Sequence, residues 1–126
     1  MATALTALNW PAVLLGTIAA FALGMVWFGQ IFGATWTKGS HGITPPASLP
    51  LAAMLIQLLG TLLMAVAIGA TETTQDLPLA LVIILAIALL QLGGSLFGQK
   101  SQAAALIDGG FVVAMGVVMI AAQAIL

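Results

Sequence analysis

The first charged side chain in this sequence is Lys38, and only Glu72, Asp76, Lys100 and Asp108 follow it before the chain reaches residue 126. The stretches between them are apolar, and that spacing leaves few solutions. A water-soluble domain carries about a quarter charged residues because its surface faces water. Here the share is 4%, beside 63% hydrophobic residues and a mean hydropathy of +1.26. The solvent for most of this surface is therefore lipid or other apolar protein. Within hydrocarbon the backbone must satisfy its own N–H and C=O groups, and an uninterrupted apolar run does so as a helix.

A helix needs about 20 residues to cross the hydrocarbon core. The expectation is an all-α, polytopic membrane protein: a four-transmembrane-helix bundle with short loops, one membrane domain over residues 1–126, with spans at approximately 10–32, 51–70, 78–98 and 104–126. The first opens at Asn9-Trp10-Pro11, with Asn9 placed as a cap and Pro11 in the first turn, where its missing N–H leaves nothing unpaired. Residues 1–8 contain no Lys or Arg. They lack the basic region of a secretory signal, so the first apolar run reads as a retained helix. Trp10 at one end, with Trp27 and Trp36 at the other, fits aromatic belts at the two interfaces.

Residues 33–50 form the longest connection, rich in turn formers: Gly39, Gly42, Pro45 and Pro46, with Lys38 and His41 among them. The second connection, 71–77, is short and acidic, which makes spans two and three antiparallel neighbours; Pro78 opens span three. The third connection holds Gln99, Lys100, Ser101 and Gln102. An early start to span four places Asp108 inside the helix. Both lysines fall on one side of the membrane, and Glu72 and Asp76 on the other. The positive-inside rule then puts the lysines in the cytoplasm and both termini on the non-cytoplasmic side. No internal repeat is evident.

Polar groups in hydrocarbon are costly and draw functional attention. Gln57 lies about seven residues into span two and Gln91 about seven before the end of span three, so both sit ~10 Å below the cytoplasmic interface. Gln30 and Asp108 belong to the same third of the membrane. These four residues are the candidate intramembrane polar layer. Three readings remain open for the glutamines: interhelical hydrogen bonds worth roughly 0.6 kcal/mol each, a constriction lining a solute path, or a hold on a pigment or other ligand. Asp108 reads either as a structural carboxylate, reaching the headgroups or Lys100 eight residues earlier, or as a proton or cation site. His41, the single histidine, lies in a loop and reads as a surface residue.

Small residues recur at helical spacing: Gly16, Ala20 and Gly24, then Gly29 and Gly33, on span one; Thr61, Ala65 and Gly69 on span two; Gly94 and Gly98 at the end of span three; Gly109, Gly110, Ala114 and Gly116 on span four. Such faces let helix backbones approach closely in lipid. Packing within the bundle explains most of them, and a stripe left facing outward marks contact with another chain.

The inventory also excludes. With no Cys there is no disulfide, thiolate nucleophile or Cys-ligated metal. Both cations are Lys, so bidentate capture of phosphate or carboxylate is absent and nucleic-acid binding is ruled out. No Ser/His/Asp grouping, carboxylate pair or phosphate-cradling loop can be assembled. No catalytic, cofactor or metal residues are assigned, and contact with lipid, quinone or pigment is compatible with the sequence without being indicated by it.

The string Asn9-Trp10-Pro11-Ala12-Val13-Leu14, followed by Ala20-Phe21-Ala22-Leu23-Gly24-Met25-Val26-Trp27-Phe28-Gly29 and by Phe32-Gly33-Ala34-Thr35-Trp36, resembles the bacterial membrane family catalogued as domain of unknown function 1761. Its members open with an Asn-Trp pair, then carry a Gly-x-x-Trp-aromatic element and a Phe-Gly-x-x-Trp element. The segment Leu106-Ile107-Asp108-Gly109-Gly110-Phe111 is similar to the start of the family's last helix, where a Gly-aromatic pair is usual. The resemblance spans the chain, its specific part being residues 9–36 and 106–111. It implies a four-helix protein of the bacterial inner membrane and carries no activity.

Two functional classes follow. The first is a non-enzymatic accessory or structural subunit packing against a larger membrane complex, respiratory or photosynthetic, for which scarce loop charge, short loops and small-residue stripes speak. The second is a small homo-oligomeric transporter or channel, with its polar layer near the cytoplasmic side and Asp108 as the coupling acid. The small multidrug exporters match in size, yet their coupling acid lies in the first span and none exists there. An enzyme is the least supported class: glutathione-using membrane enzymes need Arg and disulfide-forming ones need Cys. Expected partners are the bilayer and other membrane subunits or further copies of the chain.

Overall fold

A computed structural model describes residues 5–43 and 50–126. Pro45 and Pro46, expected in the first connection, lie outside the described residues. Helix α1 (Trp10–Val26) runs into a π-helical turn (Trp27–Ile31); α2 (Gly33–Gly39), α3 (Leu51–Thr73), α4 (Leu77–Phe97) and α5 (Gln102–Ile125) follow, with no strand among the described residues. Among the described residues, four helical stretches are long and apolar enough to cross a membrane: Trp10–Ile31, Leu51–Thr73, Leu77–Phe97 and Gln102–Ile125, with mean hydropathies of 2.0 to 2.5. The chain is an all-α, multi-pass membrane protein.

The helix ends follow local chemistry. Asn9 Oδ1 accepts the Ala12 N–H (3.3 Å) beside Pro11. Asp76 Oδ1 accepts the Leu79 N–H (3.1 Å) and Ser101 Oγ the Ala104 N–H (3.0 Å). Each supplies an acceptor to a helix start, where backbone donors have no partner inside the helix. Asp76 is thus a cap as well as a loop charge. At the opposite ends, Gln75 (φ 55°) and Gln99 (φ 61°) take the left-handed conformation. The N–H of the next residue then closes back on the helix, Asp76 to Thr71 O (2.9 Å) and Lys100 to Ser95 O (3.1 Å). This reverse turn is usually made with glycine.

Residues 33–39 depart from the expected loop: they form α2. Turn-forming composition begins only at Gly39, and α2 is held by α5. A Cβ on Gly39 would collide with Ser101 Oγ and with Ala104 Cβ, and the Ser101 N–H donates to Gly39 O (2.9 Å). Tertiary contact overrides local composition here. The break between α1 and α2 falls at Phe32, whose N–H bonds to Trp27 O (3.0 Å) across the wider π ring. Such turns recur at functional sites.

Helix α5 is the axis of the bundle. Its most apolar stretch is 56% buried, against 22–28% for the other three. Val112, Met115 and Met119 meet Val13 and Ala20 of α1, Met64, Ala65 and Ile68 of α3, and Ala80, Ile84 and Ala88 of α4 in one core. Small residues set the approach. Gly16 lies against Met119, Gly24 against Phe111, Gly69 against Val13 and Gln123, Gly109 against the Ala88 carbonyl and Leu92, and Gly116 against Ile84. Ala20 is fully buried. The same function does not extend to every glycine in the stripes. Among the described residues, Gly29 and Gly94 meet nothing within 4 Å, and the nearest atoms to Gly33 and Gly98 belong to their own turns. A one-face spacing rule cannot tell which side of a helix a neighbour will take.

These environments differ enough to test. Gly109→Val would drive a methyl toward the Ala88 carbonyl, 3.2 Å from the added Cβ, and is expected to cost about 1–3 kcal/mol in reversible unfolding in mixed micelles. Gly94→Val should stay within about 0.5 kcal/mol for the monomer. Equal losses at both positions would contradict the packing described.

Candidate functional site

Asp108 lies two turns into α5, ~9 Å along the axis from Gln102, and is only 4% exposed. A carboxylate at that depth needs donors, and three elements deliver them. The Trp36 indole of α2 donates Nε1–H to Oδ1 (2.8 Å), while Ser95 Oγ of α4 (2.6 Å) and Lys100 Nζ of the α4–α5 turn (2.9 Å) both donate to Oδ2. Lys100 also stands 5.3 Å from the centre of the Trp36 ring, within cation–π range.

The sequence positions each donor. Ser95 is the single hydroxyl of α4; its carbonyl turns the chain back by accepting Lys100 N–H, and its hydroxyl meets Asp108. Trp36 arrives because the chain bends at the π turn. Trp27 Nε1–H donates to Ile107 O (3.0 Å), and Trp36, nine positions later, reaches the very next residue on α5. Nine residues of straight helix would advance ~13.5 Å; the bend and the reach of the two indoles absorb that length. Rings fill the elbow: Trp27–Phe32 (4.8 Å), Phe28–Trp36 (5.0 Å) and Phe28–Phe111 (5.1 Å) between centroids. At the surface end, His41 Nε2 lies 2.8 Å from Gly98 O.

Beside this node a cleft of about 770 Å³ opens between the first half of α3 and the rest of the bundle. None of residues 51–60 is buried; α3 joins the core only from Thr61 onward. The cleft is lined by Phe21, Met25, Phe28, Met54, Phe111 and Met115 among apolar residues, and by Trp36, Gln57, Thr61, Gln91, Lys100 and Asp108 among polar ones.

The four-residue polar layer is therefore split. Gln57, Gln91 and Asp108 face the same cleft, but no side-chain hydrogen bond joins them among the described residues. Gln30 is exposed on the π turn and does not line the cleft. Depth along the sequence placed them at one level; the bend in span one and the divergence of α3 separate them in the membrane plane. Of the aromatics expected at the interfaces, Trp10 is 50% exposed, whereas Trp27 and Trp36 turn their N–H groups inward to α5. Ser95 is a site residue that the sequence did not mark out. Its signal was that of a lone hydroxyl in an apolar run, five residues before Lys100.

Lys100→Met should leave Asp108 buried without its cation and lower stability by about 3 kcal/mol. Adding Asp108→Asn should recover part of that loss, since the orphan charge goes with it. Strictly additive losses in thermal unfolding of the single and double variants would show that the pair does not act as a unit.

No curated protein and no solved structure matches the chain. A family model does, over residues 11–123. Its span takes in the elbow, Ser95, Lys100 and Asp108, and most of the residues on which the resemblance was drawn. The chain belongs to the family described as Protein of unknown function (DUF1761).

Proposed function

We propose that the chain is a non-enzymatic accessory subunit of the bacterial inner membrane, packing against other membrane proteins of a larger complex, respiratory or photosynthetic. The observation that carries this reading is the set of glycines left without neighbours. Among the described residues, Gly60 of α3 and Gly93 and Gly94 of α4 meet nothing within 4 Å, as does Gly29 on the π turn. Elsewhere in the same bundle glycines are pressed against adjacent helices. In lipid, helices associate through close backbone approach at small residues; outward glycines offer that approach to a second chain. Helix α3, standing away from the core over residues 51–60, extends the available face. Lys38 and Lys100 share one end, with Glu72 and Asp76 at the other, and the positive-inside rule orients the lysine end to the cytoplasm with both termini outside.

A second reading, a homo-oligomeric transporter or channel, draws on the cleft lined by Gln57 and Gln91. Its candidate coupling acid, Asp108, already accepts from three donors, one of them a cation.

Gentle extraction followed by native-gel mass spectrometry separates the two. Co-migration with a larger assembly of other membrane proteins supports the accessory role, and Gly60→Leu together with Gly93→Leu should release the chain from it without unfolding the monomer. A homo-oligomer containing no other protein would overturn the accessory role in favour of the second reading.

A further inference from the structure

We propose that the cleft beside Asp108 binds a lipid-soluble molecule with an uncharged, carbonyl- or hydroxyl-bearing head and an apolar tail. Three features carry this, and none depends on whether the outward glycines hold a second chain.

The first is unspent hydrogen-bonding capacity. Gln57 and Gln91 come from α3 and α4, line the same cleft, and make no side-chain hydrogen bond among the described residues. Each primary amide offers two N–H donors and a carbonyl acceptor. Leaving such groups unpaired in an apolar medium costs free energy, and both lie well inside their spans. A ligand head carrying carbonyl or hydroxyl oxygens satisfies them.

The second is charge. Lys100 and Asp108 are the charged groups on the cleft wall, and they neutralise each other at 2.9 Å. An anionic head would compete for the Lys100 charge with a carboxylate that is 4% exposed, and a cationic head would compete with Lys100 for that carboxylate. A neutral head does neither.

The third is size and lining. A volume of about 770 Å³ falls within the usual range for small-molecule sites, ~300–1,000 Å³. Beyond the amides and the Lys100–Asp108 pair the walls are mostly apolar and include Met25, Met54, Met115 and Phe111, and methionine adapts its shape to an alkyl or isoprenoid chain.

Two sources share this head chemistry: a neutral glycerolipid and a quinone-type carrier. The test uses the full-length protein in detergent micelles and four probes, namely dioctanoylglycerol, a decyl-substituted benzoquinone, decyl phosphate and decyltrimethylammonium, with native mass spectrometry as the readout. One saturable neutral molecule per chain is expected, held at least about tenfold more tightly than either charged probe. Which of the two neutral probes binds identifies the source. Gln57→Leu combined with Gln91→Leu should weaken binding about tenfold or more, whereas Gln30→Leu, away from the cleft, should leave it unchanged. Because the chain has no Cys, Ala53→Cys places a single thiol on the cleft wall, and the bound neutral probe should slow its alkylation even if the double variant does not fold. Binding of neither neutral probe, equal binding of the charged ones, or alkylation indifferent to the bound probe would overturn the proposal.

Discussion

A carboxylate two turns deep in a membrane helix is the constraint around which this bundle is arranged. Removing an ion from water costs several kcal/mol, and the cost is met only where geometry and hydrogen bonds are good. Asp108 meets it by drawing donors from α2, α4 and the α4–α5 turn, so one side chain fixes three segments on the central helix. The same requirement accounts for the elbow in span one. Without the π turn at Trp27–Ile31 and the break at Phe32, the Trp36 indole would be carried past Asp108.

The bundle that results is lopsided. Its core is complete where α1, α3, α4 and α5 converge toward the acidic end, and open where α3 diverges toward the lysine end. Water would not tolerate the exposed leucines of α3 and α4, but hydrocarbon does, because lipid tails are as apolar as leucine. Folding in lipid is therefore governed less by burying greasy side chains than by pairing polar groups and by close approach at small residues. The polar node supplies the first, and pressed glycines such as Gly16, Gly24, Gly109 and Gly116 supply the second.

Much of the architecture was legible in the sequence, because hydrocarbon imposes a length and a periodicity that composition reveals directly. Asn9 and Pro11 marked a helix start that the structure reproduces. The pairing of Lys100 with Asp108 was one of two readings left open by their spacing. What the sequence hid was lateral position. The spacing puts Gln57 and Gln91 at one expected depth and Gln30 in the same third of the membrane, yet nothing in it says that span one bends or that α3 leans away. Trp36 looked like an interfacial residue, since a loop was expected around it; the contact of Gly39 with Ser101 and Ala104 and the indole's bond to Asp108 hold that segment as a helix against α5.

The hydrogen bond between Trp36 and Asp108 anchors the elbow to the central helix, and the indole proton reports it. With tryptophans labelled by ¹⁵N and the chain in lipid nanodiscs, hydrogen–deuterium exchange should leave the Trp27 and Trp36 indole signals protected while that of half-exposed Trp10 fades. Replacing Asp108 with Asn should shift the Trp36 signal and leave Trp10 in place. A Trp36 indole that exchanges as fast as Trp10, and ignores the substitution, would contradict the anchor and the elbow built on it.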